Sequence, residues 1–159
     1  MLTIQIVCIG KIKETYLKDA IAEYTKRLSK YCKLTILELP DEKIPEKLNA
    51  SISDEIKKKE CDSILKHLKK DSHIICLDLT GKQFSSEEFS VHIQNLSMQT
   101  SHITFIIGGS LGLSNKVISN SNELICFSKM TFPHQLIRIF LLEQLYRGFK
   151  ISNNEAYHK

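Results

Sequence analysis

Three stretches of this chain gather residue types that could hold a small ligand or move a proton. The run Gly108-Gly109-Ser110-Leu111-Gly112 places three glycines within five residues. Glycine takes positive φ without a Cβ penalty, so such a loop lets backbone approach a ligand and turns N–H groups toward an acceptor. Its GGxxG spacing is neither the dinucleotide fingerprint GxGxxG nor a P-loop, and a turn needing glycine for geometry alone would read the same way. The second stretch, Phe127 to Phe132, runs into Pro133-His134. A neutral imidazole there is a candidate proton acceptor and equally a structural cap. The third is the end of the chain, where Tyr157, His158, Lys159 and the terminal carboxylate crowd together. On composition alone, Asn153 to Lys159 is a frayed terminus. Between these stretches, Arg138, Glu143, Arg147 and Lys150 are the charged groups of an otherwise apolar segment. Glu143 and Arg147 stand at i, i+4 spacing, where they pair as readily as they act.

The elements that must hold these residues alternate between strand and helix, which predicts an α/β fold with a mostly parallel sheet flanked by helices. Strands are expected over 2–9, 34–39, 73–79, 103–107 and 123–127, with Thr80-Gly81-Lys82 closing the third. Helices are expected over 13–29, with Leu17, Ile21, Tyr24 and Leu28 inward, and from 53 to about 70, with Ile56, Ile64 and Leu68 inward. Lys57, Lys58 and Lys59 read as a solvated face. Ser85 with Glu88 fits a capping box opening a further helix, and Pro133 suits the first turn of a long one over 133–151. Two prolines in 40–45 mark a surface loop, a candidate mobile element. Ligands of parallel sheets bind at the carboxyl ends of strands, here 77–81, 108–113 and 127–132. The last helix is apolar on most sides, with Leu136, Ile137, Ile139, Phe140, Leu141, Leu142, Leu145, Tyr146 and Phe149. In so small a chain that predicts a homodimer built on it.

With 159 residues the chain fits one domain, 1–159, large enough for a core without staples. A net charge of +4 permits contact with nucleic acid without demanding it. The five cysteines are odd in number, widely spaced and mostly set in apolar runs, as expected of buried thiols in a reducing cytosol. No CxxC occurs, so no metal is expected. The opening Met1 to Val7 reads as a strand rather than a signal peptide, and no apolar run reaches membrane-spanning length, so a cytoplasmic protein without membrane partners is expected.

Phe105 to Leu113, Phe127 to His134, Leu145-Tyr146-Arg147 and the terminal Ala156-Tyr157-His158-Lys159, in that order and spacing, resemble the RlmH family of 23S ribosomal RNA pseudouridine-N3 methyltransferases in the SPOUT superfamily. The similarity runs the whole length, from the first strand and Gly10-Lys11 onward. It implies a SPOUT-type α/β domain with a C-terminal trefoil knot, working as a homodimer on the large-subunit rRNA of assembled ribosomes. The cofactor would be S-adenosyl-L-methionine, bound within about 72–159 by Leu77, Gly108, Phe127, Ser128, Lys129, Met130, Thr131 and Phe132. Leu77, Met130 and Phe132 would cover the purine.

The imide N3–H of pseudouridine must lose its proton before the nitrogen can attack. The resemblance makes His158 the candidate base, with His134 the alternative. Arg147 would stabilise the imide anion, and Tyr157 would stack on or orient the target base. It further implies that the tail of one subunit completes the site of the other. The charge is too small to grip naked RNA through phosphates alone, which favours shape recognition on a large particle. Two other readings stay open: a SPOUT enzyme acting on tRNA, and a non-catalytic ribosome-binding factor without affinity for the cofactor.

Overall fold

The structure is a computed structural model and describes residues 1–157. Its centre is a five-stranded sheet in the order β2-β1-β4-β3-β5, with every pairing parallel. The strands are β1 (Thr3–Ile9), β2 (Lys33–Leu39), β3 (His73–Lys82), β4 (His102–Ile107) and β5 (Glu123–Ile125). Five helices alternate with them: α1 (Thr15–Leu28), α2 (Ala50–Leu65), α3 (Ser86–Gln99), α4 (Asn115–Ser119) and α5 (His134–Ser152).

Strand alternation divides the core in two. Ile4, Ile6, Cys8, Ile75, Ile103 and Phe105 point into one layer, where they meet Leu28 of α1, Phe89, Ile93 and Leu96 of α3, and Leu141, Leu142 and Leu145 of α5. Val7, Ile9, Cys76 and Ile106 point the other way, onto Cys61 and Ile64 of α2 and Val117 of α4. Covering both faces is what a parallel sheet requires, because its crossover helices lie on its faces. All five cysteines are free and buried. Among the described residues, no helix is long and apolar enough to cross a membrane.

Several expectations change in detail. The capping box at Ser85 is present: its hydroxyl accepts from Glu88 N at 3.1 Å, and Glu88 Oε2 accepts from Ser85 N at 2.7 Å. The second helix begins at Ala50, capped by Asn49 Oδ1, and stops at Leu65; Leu68 lies beyond it, only partly buried. The short α4 was not foreseen, since five residues are too few to show a period. Strand β3 does not end at Leu79 but runs to Lys82. Ile125 pairs with both Leu77 and Lys82, so Asp78 to Gly81 bulge out of the ladder before Lys82 rejoins it. Gly81 is required there, because a Cβ on it would lie 2.6 Å from the Ile125 backbone.

Most of the apolar surface of α5 is consumed within the chain. It packs on both α1 and α3, with Leu141, Leu142 and Leu145 buried. What remains outward is a narrower strip: Phe140 is exposed, and Leu136 and Ile139 are half-buried.

Arg138 is the one cation among the buried polar residues named in the core, at 1% exposure. Its guanidinium donates to Gly10 O at 2.7 Å and Ile9 O at 3.2 Å, and to Glu38 Oε2 at 2.7 Å. The same carboxylate oxygen accepts from Ile12 N at 2.8 Å. One side chain thus joins the start of α5 to the carboxyl ends of β1 and β2. Removing one member of a buried ion pair strands the other and typically costs about 3–5 kcal/mol. Because Glu38 keeps some solvent contact, Arg138→Met is expected to cost about 3 kcal/mol in denaturant unfolding, at the low end of that range.

Candidate functional site

All five strands run the same way, so their carboxyl ends share one edge of the sheet, and the predicted loops converge there. The bulge of β3, the glycine loop after β4 and the segment after β5 enclose a cleft of about 940 Å³, closed on one side by the start of α5. That volume suits a ligand of nucleoside size.

Leu77, Gly108, Phe127, Ser128, Met130, Thr131 and Phe132 all line it. Lys129 does not; its side chain is exposed. Met130, 73% exposed, overhangs the cleft, and its backbone N–H is held by Ser128 Oγ at 3.1 Å. Phe132 meets Phe140 edge to face at 5.4 Å. Asp78, within the strand end expected at 77–81, also lines the cleft. Its carboxylate accepts from Thr80 N at 3.0 Å and from the Thr80 hydroxyl, which fixes the bulge.

The glycines have distinct reasons. A Cβ on Gly108 would lie 3.0 Å from both the Gly112 backbone and the Leu113 side chain, so bare backbone is needed there to keep the loop folded beside the cleft. Gly112 sits at φ +78°, where a side chain would be strained.

His134 opens α5 and lines the same cleft. Burial, and then the Arg138 cation, hold its pKa below the usual 6.5, against a weaker upward pull from Asp41. It is therefore neutral at pH 7 and able to accept a proton.

Glu60 gave no signal in the sequence, where it is one acid in a charged helix. In the structure it is 7% exposed, and its carboxylate reaches the far side of the glycine loop, 3.3 Å from where a Cβ on Gly109 would stand. Burial, reinforced by Asp41 and Glu42, raises its pKa to about 7.

Arg147 and Tyr157 lie elsewhere. Arg147 pairs with Glu143 at 2.6 Å, Tyr157 Oη donates to Glu143 Oε2 at 2.8 Å, and the guanidinium stands over the Tyr157 ring at 4.7 Å. Burial, then the bond to Glu143, raises the Tyr157 pKa. The segment leading there is pinned: Glu155 takes Lys150 at 2.6 Å, Tyr31 Oη at 2.9 Å and Lys30 at 3.3 Å, and the Lys150 bond leads in lowering its pKa to about 2. A frayed terminus, the reading from composition, is thus corrected as far as Tyr157. His158 lies outside the described residues. Within one chain, Arg147 stands thirteen residues from His134 along α5, about 20 Å; its partner Glu143 lines a second pocket, of about 290 Å³, with Phe127, Ser128 and Phe132 of the cofactor segment.

Residues 2–158 match the family described as "Predicted SPOUT methyltransferase". The chain belongs to the SPOUT methyltransferase family. It is 55% identical to a Clostridium acetobutylicum protein named "Ribosomal RNA large subunit methyltransferase H", over 99% of this chain and 100% of that one. A Clostridium botulinum protein of the same name is 58% identical at the same coverage. In fold, the chain is similar to the Aquifex structure titled "Crystal Structure of A. aeolicus TrmH/SpoU tRNA modifying enzyme", with a TM-score of 0.54 at 12% identity, over 96% of this chain and 78% of that one. This SPOUT methyltransferase therefore carries its glycine loop, its β5–α5 segment and His134 around one cleft.

The raised pKa of Glu60 has a consequence for stability. At about 7 it exceeds the ordinary 4.5, so the folded chain holds this proton more tightly than the unfolded chain does. The associated stability is complete below pH 4.5 and lost as pH rises through 7. Glu60→Gln, which mimics the protonated form, is expected to melt about 4–6 °C above the parent at pH 8, with the gap closing toward pH 5 in calorimetry.

Proposed function

We propose that this enzyme transfers a methyl group from S-adenosyl-L-methionine to N3 of a pseudouridine in 23S rRNA of assembled ribosomes, as a cytoplasmic homodimer. The observation that carries the reading is the cleft: seven of the eight predicted cofactor residues line one space of nucleoside size in a SPOUT methyltransferase. Full-length similarity to proteins named for large-subunit rRNA methylation supports the substrate. In this reading the whole chain is one domain whose cofactor-binding part begins at about residue 72. The family resemblance implies a trefoil knot in this region.

The residues present fit the cofactor. Leu77, Met130 and Phe132 offer apolar surface to a purine, and the segment 127–132 offers backbone polar groups at its edge. When bound, S-adenosyl-L-methionine supplies a sulfonium methyl that needs no further activation, so the protein's work is alignment and proton management.

His158 would accept the imide proton, with His134, which lines the cleft, as the alternative base. Arg147 would stabilise the imide anion, with Tyr157 orienting the base. In the arrangement that the family resemblance implies, these groups act on the cleft of a second copy. The outward strip of Phe140, Ile139 and Leu136, with exposed Met130, is the apolar surface available for that pairing.

Two measurements test the reading. Ribosomes from cells lacking the gene, incubated with the protein and labelled methyl donor, should gain label at a single 23S pseudouridine; label in tRNA instead would select the alternative SPOUT activity, and no label with no cofactor binding would leave a ribosome-binding factor. For the tail, deletion of Tyr157 to Lys159, and separately Arg147→Ala, should lower kcat by about 10²-fold or more while cofactor affinity stays within about threefold. Unchanged turnover in either variant removes that group from catalysis.

A further inference from the structure

The pocket of about 290 Å³ adjoins the cofactor cleft, sharing Phe127, Ser128 and Phe132 with it. Phe84, Phe132 and Phe140 make its walls aromatic, and Ser86, Glu143 and Gln144 are among its polar side chains. Aromatic walls with polar groups between them suit a nucleobase, which stacks on rings and hydrogen-bonds along its edge. Methyltransferases that act on a base take it out of its stack into such a space.

Most of the polar groups here are engaged. The Ser85 hydroxyl serves the capping box, Ser128 Oγ accepts from Met130 N, and Glu143 is held by Arg147 and Tyr157. Gln144 is the exception. Its Oε1 accepts from Ser86 Oγ at 2.7 Å, which uses one of the two lone pairs and fixes the side chain. Its amide N–H groups have no partner among the described residues. An acceptor and a donor therefore stand side by side on one planar group that lines the pocket.

Pseudouridine and uridine differ at a place that such a group can read. Both carry N3–H between two carbonyls on a flat ring. Beside one carbonyl, pseudouridine has N1–H, whereas uridine has C5–H at the same position. A carboxamide pairs with that edge of pseudouridine twice, its oxygen accepting from N1–H and its N–H donating to the C2 carbonyl, much as Gln pairs with adenine.

We propose that Gln144 selects pseudouridine over uridine by pairing its side-chain amide with the N1–H and C2 carbonyl edge of the target base held in this pocket. This rests on the methyl-transfer reading above and supplies its base specificity. The engaged edge leaves N3, the position to be methylated, free on the far side of the C2 carbonyl. Ser86 is a positioning residue that holds the amide plane. With uridine in the pocket, the amide oxygen faces a C–H and water cannot replace the missing donor, so the base is rejected.

The test compares two sets of ribosomes from cells lacking the methyltransferase gene. One carries pseudouridine at the target position; the other, from cells also lacking the 23S pseudouridine synthase, carries uridine there. Rates are taken at single turnover with excess enzyme, so that slow transfer is measured. The parent should prefer pseudouridine. Gln144→Leu, which removes both hydrogen-bonding groups at similar volume, should lower the pseudouridine rate by about tenfold or more and leave the uridine rate within about twofold. Ser86→Ala should cost about threefold on pseudouridine alone. In both variants the calorimetric affinity for S-adenosylhomocysteine should stay within about twofold. Equal losses on both ribosomes would make Gln144 a structural support and overturn the proposal, as would an unchanged pseudouridine rate, a parent without preference, or a loss of S-adenosylhomocysteine affinity. If Gln144→Leu turns the protein monomeric in sedimentation, a second copy covers the pocket and the proposal is wrong. If the parent labels neither set of ribosomes, the methyl-transfer reading itself fails and the proposal falls with it.

Discussion

The arrangement of this molecule depends on a buried guanidinium. Arg138 enters from the first turns of α5 and saturates the carbonyls of Ile9 and Gly10, where β1 runs out of ladder partners, while Glu38 of β2 supplies the countercharge. A cation removed from water is costly unless it is paired; here both terminal nitrogens are met at the ends of two adjacent strands, while Nε is buried without a partner among the described residues. Strand ends and helix start are therefore locked in one geometry. That lock sets His134 one turn away over the cleft, and the Arg138 charge in turn helps keep the imidazole neutral.

Around this anchor the site is polarised. On one side are Leu77, Met130 and Phe132, apolar and partly open; on the other are Glu60, Asp41 and Glu42, acidic and partly closed. The glycine loop separates the two, with Gly109, Ser110 and Leu111 lining both. The destabilisation carried by Glu60 is the kind of local cost that binding sites retain.

The far end of α5 follows a different logic. Glu143 clamps Arg147 and Tyr157, and Glu155 gathers Lys30, Tyr31 and Lys150. Two carboxylates thereby order a segment that has no core of its own. Tyr146 adds an edge-to-face contact with the Tyr157 ring at 4.9 Å. The outcome is a preformed aromatic and cationic cluster whose Arg147 stands about 20 Å along the helix from His134, with Glu143 between them lining a pocket beside Phe127, Ser128 and Phe132.

Periodicity alone made the layered α/β fold legible, because alternating strands and amphipathic helices write their burial into spacing. The capping box at Ser85 was equally plain, being local chemistry. Strand-end logic and family motifs together found the cleft's lining down to Met130 and Phe132. Other features had no local signature. The bulge at Asp78 to Gly81 depends on how closely β5 passes, α4 is too short to show a period, and the ordering of 153–157 draws on Lys30 and Tyr31, more than a hundred residues away, as well as on Glu143 and Lys150 of α5. Arg138 and Glu60 make the point most sharply: each is one charge among several on its helix, and nothing in the neighbouring residues distinguishes it. Composition and spacing determined which segments become strands and helices and which loops gather at the sheet's edge. Only the tertiary structure decided which charges lose their water and which partners they meet, since desolvation is a property of everything that packs around a group rather than of the group itself.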